Sequence, residues 1–225
     1  MALGDFQPAH SDIDFIALTS RRPSPAVLRA IEAAHRQLLT EPGPAFDGFY
    51  IDRDRAGQPP DPSRVLPYEL AGRFHRRSAC FEANPATWAI WREHGIAVRG
   101  SAPEALGLTN DPAALMRFEQ DNLAGYWTDW VVANWAGPAD AARASWGVLG
   151  VLRLAHVLAT SQVPSKTAAG RWALTRFASS WHPIITEALA ARRQDPGPMP
   201  LARYQAAVDF VAFVIAEARL DHPLR

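Results

Sequence analysis

Two carboxylates separated by a single residue stand near the start of the chain, in the tetrapeptide Ser-Asp-Ile-Asp at residues 11–14. The tetrapeptide runs directly into the apolar residues 15–18 (Phe-Ile-Ala-Leu), which predict a β-strand. Because the side chains of a strand alternate between its two faces, Asp12 and Asp14 point to the same side. Hard divalent cations such as Mg²⁺ prefer oxygen ligands of this kind. The pattern therefore predicts a metal site where this strand begins.

A turn precedes the acidic pair. Residues 4–8 read Gly-Asp-Phe-Gln-Pro, and the glycine and proline favour a turn where a phosphate-bearing ligand could approach the backbone closely. An Asp-x-Asp pair on its own is often only a solvated turn, so the metal interpretation depends on this context. The turn before the pair and the strand after it together favour the metal interpretation.

Read as a whole, residues 4–6 (Gly-Asp-Phe) followed by residues 11–14 resemble the signature of the polymerase-beta-like nucleotidyltransferases. The sequence is most similar to the streptomycin/spectinomycin-type aminoglycoside adenylyltransferases. In that family a Gly-Ser pair opens the motif a few residues earlier. Met1 lies about where that serine would fall, so we expect an N-terminally truncated motif, or a translation start upstream of Met1.

The second half of the chain extends the resemblance. Residues 160–172 (TSQVPSKTAAGRW), residues 181–183 (Trp-His-Pro) and residues 95–103 (GIAVRGSAP) are similar to segments of the same family. The resemblance implies Mg²⁺-dependent transfer of AMP from ATP, as co-substrate, to a hydroxyl of an aminoglycoside-like small molecule. The alternative is a catalytically impaired homologue that binds a nucleotide or small molecule without turnover.

The resemblance also implies a third carboxylate on a neighbouring strand, which serves as metal ligand and general base. Residues 46–51 (Phe-Asp-Gly-Phe-Tyr-Ile) are a strand candidate, and Asp47 occupies the corresponding place, where members of that family have Glu. Asp52, one step past the strand, is the second candidate, because a one-residue slip would exchange the faces. Asp47-Gly48 is also a favourable turn sequence.

Two further residues match phosphate-binding positions of the family. Ser11 would bind a phosphate oxygen, or instead hydrogen-bond within its turn. Lys166, the only lysine in the chain, matches a lysine that reaches the nucleotide phosphates, although an exposed surface lysine is the plainer interpretation. Arg171 stands where the family has an acidic residue that pairs with a cationic antibiotic, and it would repel a polycation.

Composition limits the class of protein. The chain has 225 residues, 48% of them hydrophobic, and Lys plus Arg equals Asp plus Glu at 23 each. This balance favours a small-molecule partner over nucleic acid. Cys80 is the only cysteine and we see no zinc-ligand spacing; no stretch is apolar enough to span a bilayer. We expect a cytoplasmic monomer without a membrane partner.

Periodicity and capping divide the chain into two predicted domains, residues 1–103 and a helical bundle of residues 104–225. The resemblance implies that the first is an N-terminally incomplete nucleotidyltransferase domain. The fold class is therefore α+β: a mixed sheet with helices, followed by an all-α domain. The first domain has strands at residues 13–18 and 46–51 around a helix over 24–39, a loop over 52–64, an irregular return over 68–81, a helix over 84–94 and a short strand over 96–98. Helices of the second domain begin near Asp111, Asp140, Ser165, Ser180 and Pro200.

The eight Trp residues are predicted mainly as core, with sugar stacking as the alternative for one of them.

Overall fold

The computed structural model describes residues 2–8, 11–193 and 197–221; Met1, and with it the question of the upstream Gly-Ser pair, lies outside the described residues. Contacts divide the chain into two compact units. The N-terminal unit runs from Phe6 to Asp111 with Ala2. The helical unit begins at Pro112 and also includes Leu3–Asp5.

The N-terminal unit is built on one four-stranded sheet. Its strands and α-helices, in chain order, are β1 (Ile13–Thr19), α1 (Pro25–Leu38), β2 (Phe46–Asp52), α2 (Arg53–Ala56), β3 (Val65–Leu70), β4 (Arg73–Ala79) and α3 (Pro85–His94). The strand order is β1-β2-β3-β4, with β1 and β2 parallel and the other two pairs antiparallel. A parallel pair needs a crossover connection, which α1 provides.

Local sequence explains where these helices begin. Ser24 caps α1 through its side chain and Pro25 occupies the first turn, as predicted. Asn84 caps α3 in the same way, since its Oδ1 accepts a hydrogen bond from the Thr87 N–H at 2.9 Å. Gly95 follows the last residue of α3. These boundaries agree with the sequence predictions.

Three predictions for this unit were wrong. Residues 52–64, predicted as a loop, contain the short helix α2, which Asp52 caps. Residues 68–81, predicted to return irregularly, contain most of the β3–β4 hairpin, whose turn residues Ala71 and Gly72 both have positive φ. Residues 96–98 form no strand, and Val98 is 96% exposed because no neighbouring strand pairs with it.

The sheet has two different faces. On one face Phe49, Ile51 and Leu66 form a buried cluster with α2 and α3, whose Trp88 is 1% exposed. On the other face His35 of α1 lies among aromatic side chains, and its Nε2 is 2.8 Å from the hydroxyl of Tyr50.

Helical periodicity places the apolar residues Val27, Ile31 and Leu38 on one face of α1, yet Val27 and Leu38 are 48% and 47% exposed. His35 is the buried residue of this helix. The buried position on α1 is therefore taken by the imidazole ring of His35, and two of the apolar side chains on the predicted face remain exposed.

One glycine is required by the close approach of β1 and β2. Gly48 has φ +156° and is buried beside Phe15, its partner in the parallel register. A Cβ added at Gly48 would lie 2.0 Å from the backbone oxygen of Phe15. Asp47-Gly48 is thus part of a strand, and the turn that this dipeptide could form is not present.

The helical unit contains six α-helices among its described residues: α4 (Pro112–Asn122), α5 (Thr128–Asn134), α6 (Ala141–Thr160), α7 (Lys166–Arg176), α8 (His182–Ala191) and α9 (Leu201–Asp221). A π-helical turn, Leu123–Trp127, joins α4 to α5. The 20-residue α6 packs against α7, α8 and α9 and supplies eleven of the buried residues. Within the described residues no helix is both long and apolar enough to cross a membrane.

Indole rings pack directly against glycines of α6. A Cβ at Gly147 would lie 2.4 Å from the ring of Trp130, and one at Gly150 would lie 2.3 Å from the ring of Trp127. These two tryptophans are 8% and 4% exposed, so they are core residues, as predicted for most of the tryptophans.

One carboxyl group is buried in this core. Glu119 of α4 is 4% exposed, and its Oε2 has no hydrogen-bond partner among the described residues. Burial raises the pKa of Glu119 from 4.5 to about 7, although the charge of Arg153 acts in the opposite direction. The folded chain therefore holds a proton on this group in a range where the unfolded chain has lost it.

We expect Glu119→Gln to remove a pH dependence of stability. Between pH 4.5 and about 7 the folded state binds the proton more tightly than the unfolded state, so the stability of the wild-type protein falls as pH rises through this range. Above it, the neutral glutamine should stabilise the fold by roughly 3 kcal/mol relative to the wild type. Urea denaturation at pH 4.5, 6 and 8 measures this. If the free energy of unfolding changed with pH equally in both proteins, the prediction would be contradicted.

Candidate active site

Three carboxylates lie at the same end of neighbouring parallel strands. Asp14 in β1 is paired in register with Asp47 in β2, and Asp12 is the residue immediately before β1. Asp12 and Asp14 are exposed and Asp47 is half-buried. The backbone thus brings the three predicted metal-binding residues together at one edge of the sheet.

The environment of Asp47 raises the pKa of its carboxyl group. Burial is the largest cause and the negative charge of Asp12 adds to it, while a hydrogen bond from the Ala71 N–H to Oδ1, at 3.0 Å, opposes both. Ala71 belongs to the β3–β4 turn, so the hairpin that the sequence patterns did not predict is what orients Asp47. The interaction with Asp12 also indicates that these two carboxylates are close to each other.

The donor set suits a hard cation. Carboxylate oxygens are the protein ligands of Mg²⁺, which usually takes one or two of them and completes its shell with phosphate oxygens and water. In the described part of the chain, no group of three or more His, Cys, Asp or Glu side chains could hold a metal ion. A cation bound by these aspartates would therefore need further ligands, which a phosphate-bearing molecule and water can provide.

Ser11 closes the turn before this acidic pair. Its hydroxyl accepts a hydrogen bond from the Gln7 N–H at 3.0 Å, and its own N–H donates to the Gln7 carbonyl oxygen at 2.8 Å. The local hydrogen-bonding role predicted for Ser11 is therefore present. This pair of bonds holds the chain where the acidic residues begin.

Asp52, the second candidate for the base, lies at the other end of β2. Its Oδ1 accepts a hydrogen bond from the Arg55 N–H at 3.1 Å and its Oδ2 lies 3.4 Å from Arg55 Nε. By strand alternation it occupies the opposite face from Asp47. Its engagement as a helix cap leaves Asp47 as the candidate that neighbours Asp14.

In the helical unit, Lys166 is the first residue of α7, whose N-cap Ser165 accepts a hydrogen bond from the Ala168 N–H. Two arginines also make contacts close to the start of α7. Arg153 Nε donates to the carbonyl oxygen of Pro164, and Arg192 contacts Asp5. The sequence motif indicates Lys166 but gives no signal for the two arginines, which come from α6 and from the end of α8.

An exposed aromatic pair is a second feature of this unit. Tyr126 in the π-helical turn is 53% exposed and Trp146 of α6 is 40% exposed, with their ring centroids 6.1 Å apart. The ring of Trp146 stacks on the buried Trp127 at 5.0 Å. π-Helical turns often occur at functional sites, and the sequence offers no signal for one.

Arg171 of α7, which stands where the resemblance implies an acidic residue, is exposed.

Comparison with known proteins gives a match to a family model and matches to solved structures. Residues 131–217 match the family model described as aminoglycoside adenylyltransferase, C-terminal domain. The structure is similar to that of spectinomycin adenyltransferase AAD(9) from Enterococcus faecialis, determined with ATP and spectinomycin, with a TM-score of 0.66, 10% sequence identity and coverage of 91% of this chain and 85% of that chain. No curated protein sequence matches the chain.

Together the mixed sheet, the helical second unit and these matches show the fold of an aminoglycoside adenylyltransferase. The predicted fold class, α+β with an all-α second part, is confirmed. The predicted resemblance to the aminoglycoside adenylyltransferases is supported by these two findings. Residues 160–172 lie within the matched range 131–217, and residues 11–14 lie outside it.

Proposed function

We propose that this protein transfers the AMP group of ATP to a hydroxyl of an aminoglycoside-like small molecule, with Mg²⁺ as its cofactor. The observation that supports the proposal is the parallel register of β1 and β2, which sets Asp14 beside Asp47 with Asp12 two residues before it. The family-model match over residues 131–217 supports nucleotidyl transfer in general. The class of acceptor and the use of Mg²⁺ are the parts of the proposal that go beyond this general activity.

In this proposal Asp12, Asp14 and Asp47 hold the metal. When bound, Mg²⁺ supplies charge neutralisation at the phosphates of ATP. Ser11 contributes its turn next to those phosphates, and Lys166 contributes a positive charge at the start of α7. Phosphoryl and nucleotidyl transfer depend mainly on such positioning and charge stabilisation.

Asp47 is the proposed general base. The Ala71 N–H binds its Oδ1, so Oδ2 is the atom that would take the proton from the acceptor hydroxyl. Burial raises the pKa of Asp47, which makes its carboxylate a stronger base than an exposed aspartate. Aspartate is one methylene shorter than the glutamate of the family, so the acceptor must approach the strand more closely.

The acceptor is proposed to contact the aromatic pair of the helical unit. Tyr126 and Trp146 offer ring faces on which the apolar side of a sugar or cyclitol ring can stack. Arg171 would repel a polycation, which favours acceptors with few positive charges, such as spectinomycin-like molecules, over highly charged aminoglycosides.

A substitution series at Asp47 tests the proposal. Pyrophosphate release is measured with MgATP and a panel of streptomycin, spectinomycin and other aminoglycosides. We expect Asp47→Asn to lower kcat by about 10²- to 10⁴-fold, because the base is lost. Asp47→Glu should retain measurable release, because it keeps the carboxylate.

The matched control is Asp61→Asn, which changes an exposed carboxylate that only closes a turn at Ser63. It should leave pyrophosphate release unchanged. If the wild-type protein binds ATP but releases no pyrophosphate with any acceptor, the chain is the impaired homologue and the proposed transfer is wrong.

A further inference from the structure

A carboxylate on β3 is buried without a hydrogen-bond partner. Glu69 is 3% exposed, and neither of its side-chain oxygens has a hydrogen-bond partner among the described residues. Its Oε2 lies 3.8 Å from Nδ1 of His35, which is close enough for an electrostatic contact and too far for a hydrogen bond. Burying a polar group in this way costs free energy. A buried group of this kind therefore requires an explanation in the fold or in the function.

The surroundings of Glu69 are mainly aromatic. The imidazole ring of His35 stacks on Phe74 and on Phe15, with ring centroids 5.4 and 5.7 Å apart. Its Nε2 is 2.8 Å from the hydroxyl of Tyr50, so the ring is held from that side. The other ring nitrogen is the one near Glu69. The layer between α1 and the sheet thus offers the carboxylate one polar neighbour at a fixed place.

The pairing of β2 with β3 rests on few pairs. In this antiparallel register Gly48 is opposite Glu69, and Phe49 is opposite Tyr68. Gly48 has no side chain to pack against Glu69, and the neighbouring β3–β4 pairing contains a register shift. Strands that contain glycine specify their register weakly. Contacts of Glu69 beyond its partner strand therefore matter for the alignment of β3.

A slip of β3 by one residue would exchange the faces of its side chains. Glu69 would leave His35 and enter the apolar cluster on the other face of the sheet, which contains Phe49 and Leu66. A carboxyl group in that cluster would have no polar neighbour and would cost more free energy. A buried polar residue that is tolerated on only one face can fix a register.

The same register places the hydrogen bond that orients Asp47. Continued by one residue, it sets Leu70 opposite Asp47; the next residue is Ala71, whose N–H donates to Asp47 Oδ1 at 3.0 Å. One residue along a strand spans about 3.3 Å, so a slip would break this hydrogen bond. Burial and the negative charge of Asp47 both raise the pKa of Glu69, which agrees with the closeness of the two residues.

We propose that Glu69 is a positioning residue for Asp47: its side chain, set against His35, fixes the register of β3 on β2 and thereby the Ala71 N–H. By strand alternation Glu69 lies on the face opposite Asp47, so it acts through the hairpin and touches no substrate. The consequence for catalysis rests on the proposed function, in which Asp47 is the general base.

The test is the rate at which the Ala71 amide exchanges with solvent, measured by NMR on the full chain without substrates. Glu69→Leu removes the polar group with little change in volume, and we expect about tenfold faster exchange because the amide loses its acceptor more often. Glu69→Gln keeps a polar side chain of the same shape and should exchange within about twofold of the wild type. Asp47→Ala, which removes the acceptor, gives the rate of the unbound amide.

Thermal unfolding separates positioning from a general loss of stability. Glu69→Leu replaces a buried carboxylate with an apolar side chain, so its unfolding temperature should equal or exceed that of the wild type. The matched control is Ile51→Val, which weakens the same sheet from its other face and should leave the Ala71 exchange rate unchanged. With saturating MgATP and acceptor, we expect Glu69→Leu to lower kcat about tenfold and Glu69→Gln to retain it.

Tyr50→Phe provides a second variant if Glu69→Leu does not fold. It releases the ring of His35 from its hydrogen bond, and we expect about threefold faster exchange at Ala71. A wild-type exchange rate in folded Glu69→Leu or Tyr50→Phe, or equally fast exchange in Glu69→Gln and Glu69→Leu, would overturn the inference. The exchange rates involve no turnover, so these outcomes are separate from success or failure of the transfer assay.

Discussion

Replacing Asp14 with Asn is expected to abolish nucleotidyl transfer, with a decrease in kcat of about 10³-fold or more, because a neutral amide cannot replace a carboxylate that holds the metal and its phosphate. Asp14 is the residue that the parallel register places beside Asp47. Asp12→Asn should have a similar effect, since Asp12 immediately precedes β1 and its charge raises the pKa of Asp47. Pyrophosphate release at saturating MgATP measures both variants.

Both aspartates are exposed, so the substitutions should leave the fold unchanged. Circular dichroism spectra and thermal unfolding of Asp14→Asn should match those of the wild type and of Asp61→Asn. A folded Asp14→Asn protein with wild-type kcat would show that β1 does not carry the catalytic metal site. The enzyme would then have to use other carboxylates.

Gly48→Ala is expected to destabilise the N-terminal unit by about 4 kcal/mol, which combines overpacking with backbone strain. The new Cβ would lie 2.0 Å from the backbone oxygen of Phe15, and backbone atoms of a paired strand cannot move aside as a flexible side chain can. A loss of this size is a large part of the stability of a typical domain. Urea denaturation followed by circular dichroism measures it.

Gly43→Ala is the matched control. Apart from its chain neighbours, no heavy atom lies within 4 Å of the position that a Cβ would take at Gly43, and its φ is not in the left-handed region. The free energy of unfolding of this variant should lie within about 0.5 kcal/mol of the wild type. If Gly48→Ala were equally stable, the close parallel pairing of β1 with β2, and with it the placement of Asp14 beside Asp47, would be incorrect.

The sequence predicted the parts of the fold that local rules determine. The apolar run after Asp14, the cap at Ser24 and the aromatic run after Asp47 located β1, α1 and β2 because each carries its own signal. The β3–β4 hairpin was missed because Ala71-Gly72 is not one of the dipeptides that mark a tight hairpin. Where a turn has no such dipeptide, the hairpin is determined by the pairing of its strands across the sheet, which sequence patterns do not show.

The candidate site also combines residues that local sequence predicts with contacts that it does not. Asp12 and Asp14 are two residues apart, so a local pattern was enough to name them. The contacts of Asp5 with Thr167 and Arg192 join residues 162 and 187 positions apart, and no local pattern predicts them. The roles predicted for Asp47 and Lys166 came from family resemblance, and they remain predictions that the substitution series must test.

Mass spectrometry of the acceptor after incubation with ATP and Mg²⁺ tests the central claim most directly. The wild-type protein should increase the mass of at least one acceptor in the panel by one adenylyl group, and the increase should be absent with Asp14→Asn or with EDTA. Unmodified acceptors throughout the panel, from a folded wild-type protein that binds ATP, would contradict the claim that this chain transfers a nucleotidyl group to an aminoglycoside-like molecule.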